Sequence, residues 1–144
     1  MRLFDVNILI YATRIESFHH ERYKNWLKST VEAPAAFGVS ELVLSSYVRI
    51  VTNPKILARP IAIDDALTVA ENIRSRRNCV IVQPSQRHWN IFADLCRTVN
   101  AKGNLVADAY LAALAIESGS EWYSADRDFS RFPGLRWRHP LDEE

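Results

Sequence analysis

The sequence predicts an α/β domain in which a short, mainly parallel sheet is flanked by helices on both faces. Brief apolar runs alternate along the chain with longer segments of helical periodicity, which is typical of parallel β-α-β folds. Glycine and proline are scarce, at 4 and 6 residues, and they lie at the joints between these segments. Because no repeat or linker interrupts the 144 residues, we expect residues 1–144 to form one domain.

In the first half of the chain, two predicted strands alternate with four predicted helices. The strands are Arg2–Phe4 and Ala35–Phe37. Each predicted helix contains apolar residues at helical spacing and is bounded by a capping or breaking residue. The predicted helices are Ile8–Arg14 opened by Asn7, Phe18–Glu32 broken by Ala33-Pro34, one capped by Ser40 that runs through Ile50, and one capped by Asp64 that ends near Arg74.

The second half continues the alternation with three further strands and two helices. Cys79–Val82 is a compact apolar run that indicates a buried strand, and the strong Leu/Ala helix Leu105–Glu117 is stopped by Gly119. The remaining predicted elements are a helix from Ser85 through Cys96, a strand Glu121–Ser124, a loop Ala125–Pro133 and a last strand Leu135–Arg138. We expect the core to include Trp26, Trp89 and Trp122.

Composition and charge exclude several classes of protein. The chain is 48% hydrophobic and 24% charged, which excludes a disordered or low-complexity chain. Its net charge is only +1, so any nucleic-acid contact must be a local patch. The cysteines, Cys79 and Cys96, lie in apolar patterns and are expected to be reduced. With no apolar run of the ~18 residues that span a membrane and no signal peptide, we expect a soluble cytoplasmic protein.

Five carboxylates lie where an α/β fold would place a functional site. Asp5 ends the first predicted strand, Glu41 opens a helix after the second, and Asp126 and Asp128 follow the strand that ends at Ser124. Ligands of such folds bind at the carboxyl ends of the strands. Asp108 is a lone carboxylate in an otherwise apolar helix, and an unpaired buried charge there would be costly.

If these carboxylates converge, they need a positive partner. Oxygen donors select hard divalent cations such as Mg²⁺ or Mn²⁺, and such ions suit phosphodiester hydrolysis. Each residue also has a structural interpretation that stays open. Asp5 can form a strand-end turn, Glu41 can complement a helix dipole, Asp126 and Asp128 can form loop turns, and Asp108 can pair with an arginine.

Four acidic segments follow one another along the chain and span residues 3–129, nearly its whole length. They are Leu3-Phe4-Asp5-Val6-Asn7-Ile8-Leu9-Ile10-Tyr11-Ala12, Ser40-Glu41-Leu42-Val43, the run from Gly103 through Asp108 to Ala115, and Tyr123-Ser124-Ala125-Asp126-Arg127-Asp128-Phe129. In this order they resemble the acidic elements of the PIN-domain family, and the third is the most specific. Their spacing resembles the VapC-type ribonuclease toxins of VapBC toxin–antitoxin systems.

The resemblance implies a PIN-like three-layer α/β/α fold and a Mg²⁺- or Mn²⁺-dependent endoribonuclease. In that family the metal-holding and catalytic positions correspond here to Asp5, Glu41, Asp108 and Asp126, with supporting positions at Asn7, Ser124 and Asp128. The resemblance also implies a homodimer that a VapB-type antitoxin silences. RNA would need phosphate contacts, for which the candidates include Arg14, Lys102 and Arg127. Arg127 can instead brace the acidic loop.

Two other functions compete with this interpretation. A catalytically inactive PIN-like module would bind RNA or a protein without metal-dependent turnover, but the intact acidic set argues against it. A metal hydrolase of small phosphate esters would need a glycine-rich phosphate cradle or a nucleophilic aspartate loop beside a lysine, and neither is convincing in this sequence.

Overall fold

A computed structural model describes residues 1–143 of the chain. Five parallel strands form one sheet: β1 (Arg2–Phe4), β2 (Phe37–Val39), β3 (Cys79–Ile81), β4 (Glu121–Tyr123) and β5 (Trp137–Arg138). Their order across the sheet is β3-β2-β1-β4-β5. The helices are α1 (Val6–Thr13), α2 (His20–Glu32), α3 (Glu41–Val51), α4 (Ile63–Arg74), α5 (His88–Val99) and α6 (Asn104–Ser118), followed by 3₁₀ helices at Arg127–Arg131 and Pro140–Glu143.

The strand order places the helices in two layers. From β1 the chain steps outward through β2 to β3, and it then returns across the sheet to β4 and β5. Crossovers between parallel strands are almost always right-handed, so connections that run in opposite directions lie on opposite faces. The α1–α4 helices therefore cover one face, and the α5–α6 pair covers the other. This is the predicted three-layer α/β/α architecture.

Two strands differ from the sequence prediction in register or burial, and the last strand begins at Trp137 rather than Leu135. The second strand is Phe37–Val39 rather than Ala35–Phe37, because Phe37 pairs with Cys79 and Val39 with Ile81. The third strand was predicted to be buried, but it forms an edge of the sheet and Val80 is 42% exposed. An apolar run indicates a strand, whereas its position in the sheet depends on the whole topology.

Two helices do not begin where the sequence predicts. The helix α2 begins at His20 rather than Phe18. The helix α4 begins at Ile63 after Ala62, so Asp64 lies in its first turn and does not cap it.

Two further helices also begin at residues other than those predicted. The first begins at Val6, because the Asp5 side chain accepts a hydrogen bond from the Val6 N–H and caps the helix in place of Asn7. The fifth begins at His88 rather than near Ser85. The N–H groups of Ser85 and Arg87 donate to the Glu117 carboxylate at 2.7 and 2.9 Å, so that segment is a loop held by α6.

The core lies on both faces of the central strands. Its largest fully buried side chains include Trp122, Tyr47, Tyr123 and Phe4. Trp89 is 67% exposed, so its assignment to the core was wrong. Both cysteines are free thiols. None of the helices within residues 1–143 is long and apolar enough to cross a bilayer.

Candidate active site

The acidic residues gather where the direction of the chain through the sheet reverses. From β1 the chain continues to β2 on one side, and from β4 it continues to β5 on the other side. The carboxyl ends of the neighbouring strands β1 and β4 lie at the same level, because Phe4 pairs with Tyr123. Asp5 follows β1 directly, and Ser124 follows β4. A crevice at such a reversal point is where open α/β sheets bind ligands.

Asp5 is the most rigidly held of these carboxylates. It is 7% exposed. Its Oδ1 accepts the Val6 N–H at 2.7 Å, and its Oδ2 accepts the Ser124 hydroxyl at 2.7 Å and the Asn7 side-chain amide at 3.4 Å. Burial raises the pKa of Asp5, while the hydrogen bonds from Ser124 and Val6 act against that rise.

Ser124 connects Asp5 to the loop after β4. Its side chain is fully buried, and its Oγ accepts the Asn7 amide at 3.1 Å and the Asp126 N–H at 3.0 Å. Asn7 Oδ1 in turn accepts the Ala125 N–H at 3.3 Å. The supporting positions Asn7 and Ser124 therefore lie beside Asp5, where they fix its orientation relative to Asp126.

Asp108 contrasts with Asp5, because its carboxylate makes no hydrogen bond or ion pair to any of residues 1–143. It is half-buried on α6. Burial is the main cause that raises its pKa to about 6, and the charges of Asp126, Asp5 and Asp128 add to the rise. The predicted alternative, an ion pair with an arginine, is not formed. A carboxylate surrounded by other carboxylates is a binding position for a cation or a proton.

Asp126 and Asp128 shape the loop at the edge of this cluster. Asp126 caps the 3₁₀ helix that begins at Arg127, because its Oδ1 accepts the Asp128 N–H at 2.9 Å. Asp128 is exposed, and its charge reaches Asp108. Asp126 thus serves as a turn former while its charge acts on both Asp5 and Asp108.

Glu41 contacts an arginine rather than the other acidic residues. Glu41 is the first residue of α3, capped by Ser40, and its Oε2 accepts a hydrogen bond from Arg74 Nε at 2.8 Å. This pair lies in the groove between α3 and α4. The flank of α3 that faces Asp5 carries Leu42 and Ser46. Glu41 stands at the expected edge of the sheet, but its carboxylate contacts Arg74 of α4 and does not line the recess beside Asp5.

The three predicted phosphate-binding residues differ in access. Arg14 is 8% exposed and donates to the Glu16 carboxylate and, at 2.6 Å, to the Arg59 carbonyl, so its burial contradicts a role on an RNA-binding surface. Arg127 lies over the Trp137 ring, 3.6 Å from the Asp142 carboxylate, and braces the C-terminal segment. Lys102 is exposed in the turn before α6.

The carboxylate oxygens of the cluster suit a hard divalent cation, although in their present orientation they do not surround one metal position. Across residues 1–143, no three acidic, histidine or cysteine side chains enclose a common metal position. The charge of Asp126 nevertheless raises the pKa of both Asp5 and Asp108, and the charge of Asp5 also raises that of Asp108. The donor chemistry therefore fits Mg²⁺ or Mn²⁺, and a shared ion requires side-chain rotation.

Sequence reasoning missed a small recess beside Asp5. It has a volume of about 160 Å³, and α3 contributes Leu42, Val43 and Ser46 to its wall. The signal was present in the helical spacing of Leu42 and Ser46, which share one face of α3 while Glu41 and Ser45 share the next.

The chain matches known proteins over nearly its whole length. The profile of the PIN domain family matches residues 2–135. VapC ribonuclease Mb2897 of Mycobacterium bovis is 39% identical over 142 residues, covering 99% of this chain and 97% of that protein. Ribonuclease VapC37 of Mycobacterium tuberculosis is 35% identical over 140 residues, covering 97% of each.

Solved structures share the fold at lower identity. VapBC2 of Rickettsia felis, bound to a DNA fragment from its promoter, superposes with a TM-score of 0.72 at 19% identity over 96% of this chain and 97% of that one. VapC20 of Mycobacterium tuberculosis, a sarcin-ricin loop cleaving toxin, gives 0.66 at 18% identity over 94% and 99%. Since the profile and the sequence relatives both span nearly all of its length, this protein belongs to the PIN-domain family and, within it, to the VapC ribonucleases.

Proposed function

We propose that this protein is a Mg²⁺- or Mn²⁺-dependent endoribonuclease of the VapC type, which hydrolyses RNA phosphodiester bonds. The observation that carries the proposal is Asp108, a half-buried carboxylate without a partner in the described chain and beside two further carboxylates. Carboxylates that repel one another lower the stability of a fold, so the cluster indicates a functional cation site. The sequence relatives that carry ribonuclease names support the same reaction.

One carboxylate of the cluster is held in place by hydrogen bonds, and another has no such restraint. Asp5 is held by Val6, Ser124 and Asn7 and presents one orientation. Asp108 has no such restraint and is free to turn toward a cation. We assign cation binding to Asp5, Asp108 and Asp126. When bound, a divalent ion orients the phosphodiester and promotes attack by water on phosphorus.

The test uses the purified chain with total cellular RNA. We expect discrete cleavage products with Mn²⁺ or Mg²⁺ and none with EDTA or with Asp108→Asn. Mapping the new RNA ends would identify the target. Binding of RNA by a folded, metal-loaded chain without any cleavage would contradict the proposal and favour the inactive binding module.

Glu41→Gln is expected to retain cleavage within about threefold of the unmodified chain, because Glu41 lies in the α3–α4 groove and not at the cluster. It breaks only an exposed pair with Arg74, and ion pairs on the surface contribute little to stability. Initial cleavage rates at saturating metal, with urea unfolding alongside, measure both effects. A loss as large as that of Asp108→Asn would return Glu41 to the metal-holding set.

The proposal includes a VapB-type antitoxin and a homodimer. An arginine from the antitoxin would match the unpaired Asp108 carboxylate and displace the cation by charge, since guanidinium groups bind carboxylates in a bidentate manner. The product of a small reading frame next to the gene is the first candidate. Co-expression should give a complex that does not cleave RNA, and its mass would give the number of copies of each chain.

A further inference from the structure

The recess beside Asp5 joins the acidic cluster to an apolar wall. Its lining comes from four segments: Asp5 directly after β1, Val6 at the start of α1, Leu42, Val43 and Ser46 of α3, and Ala107 and Leu111 of α6. Asp5 is both a wall of the recess and a member of the cluster. A phosphodiester held at the cluster therefore brings the adjoining nucleotide to the mouth of this recess.

The Ser46 hydroxyl makes no hydrogen bond to any residue between 1 and 143. Serine and threonine in helices often bond back to a carbonyl one turn earlier. In this chain such bonds are made by Thr13, Ser45, Thr52, Thr68 and Thr98. Ser46 keeps its donor and acceptor available on the flank of α3 that lines the recess.

The rest of the recess is apolar, and Leu42 is 49% exposed beside it. An exposed leucine next to a carboxylate cluster is poorly suited to water or to phosphate, but it suits the flat face of a base. Ligand sites commonly combine such apolar walls with a few polar groups that fix orientation. Proteins read single-stranded RNA mainly through bases that have left the stack.

We infer that this recess holds one unstacked base of the RNA, next to the phosphodiester at Asp5, with the Ser46 hydroxyl as hydrogen-bond partner to the base edge. The inference rests on the proposed ribonuclease function and extends it to substrate recognition. The volume of about 160 Å³ leaves room for one base and no duplex. Cleavage therefore occurs at unpaired positions, and Ser46 contributes to the choice of base there.

A cleavage experiment compares Ser46→Ala, Ser46→Leu and the matched control Ser45→Ala on an RNA library with a randomised single-stranded segment. Ser46→Ala should change the base preference at one position by about 2- to 10-fold, the range for one neutral hydrogen bond. Ser46→Leu fills the recess and should lower kcat/KM by at least about tenfold. Ser45 bonds to the Leu42 carbonyl and lies on the next face, so Ser45→Ala should match the unmodified chain. Equal base profiles for all variants would overturn the inference.

A binding experiment in EDTA tests the recess without relying on catalysis. The four ribonucleoside 5′-monophosphates are added in turn, and the methyl NMR signals of Leu42, Val43 and Leu111 are followed. We expect selective shifts of these signals, strongest for one base and absent in Ser46→Leu. Shifts elsewhere, or the same shifts in Ser46→Leu, would overturn the assignment. If the chain binds nucleotides here but cleaves no RNA, the proposed function fails and the recess assignment stands.

Discussion

Asp108→Asn is expected to abolish RNA cleavage while the fold stays intact and becomes slightly more stable at neutral pH. The amide has nearly the same shape as the carboxylate but removes a cation ligand, and metal-ion stabilisation of a transition state is worth several kcal/mol. At ~1.4 kcal/mol for each factor of ten, we expect the rate to fall by at least about a hundredfold. The same change removes a charge that Asp126, Asp5 and Asp128 repel.

The sign of the stability effect follows from the pKa. Asp108 has a raised pKa of about 6 in the folded chain, against an ordinary value of 3.8. The native state thus binds this proton more tightly than the unfolded chain does. The group destabilises the fold fully above about pH 6, and this effect fades as the pH falls toward 3.8. After allowance for solvent screening at this half-buried site, the gain in Asp108→Asn is on the order of 1 kcal/mol near neutral pH.

Urea unfolding of both chains without metal, at neutral and at mildly acidic pH, measures this difference. The advantage of Asp108→Asn should shrink on acidification. Asp94→Asn is the matched control, because Asp94 is 78% exposed in a surface pair with Arg97. It should alter neither cleavage nor the pH dependence of stability. Normal cleavage by folded Asp108→Asn would remove this residue from the active site, and a marked loss of stability would assign it a structural role.

The sequence was sufficient to predict the layers of the fold and the edge of the sheet where the site lies. Short apolar runs and helical periodicity indicate β-α-β order, and carboxylates at strand ends must then meet at one edge. Asp108 was identifiable because it is the only charge in an otherwise apolar stretch of helix. These predictions depend on local pattern and on topology, both of which one sequence expresses.

The sequence was insufficient to predict which side chains face the site or the core, because this depends on how a helix is rotated about its axis and on what surrounds each element. Glu41 is at the predicted edge, but the turn of α3 directs it to Arg74 and leaves Ser46 facing Asp5. Trp89 follows an apolar pattern, yet it lies exposed beside Phe92 at a ring separation of 5.3 Å. Neighbouring elements determine such orientations, and their placement is not encoded in local spacing.

The second large effect is expected at Ser124. Its hydroxyl donates to Asp5 and accepts from Asn7 and the Asp126 N–H, all in a fully buried position. Ser124→Ala leaves the Asp126 N–H and one Asp5 oxygen without this partner. Buried groups that lose a hydrogen-bond partner destabilise a fold by about 1–3 kcal/mol. We expect a loss of stability in that range and a fall in the cleavage rate, because Asp5 is no longer fixed relative to Asp126.

A pH profile separates this positioning role of Ser124 from a merely structural one. The Ser124 hydrogen bond lowers the pKa of Asp5, against the rise caused by burial. Without the hydroxyl, that pKa rises further, so cleavage by Ser124→Ala should decline at a higher pH on acidification. Ser120→Ala is the control, since Ser120 is 2% exposed just before β4 and bonds to Ser118 at 2.9 Å. Ser120→Ala should leave the acidic side of the pH profile, where cleavage declines, unchanged. If cleavage by Ser124→Ala declined at the same pH as that of the unmodified chain, Asp5 would act without help from Ser124.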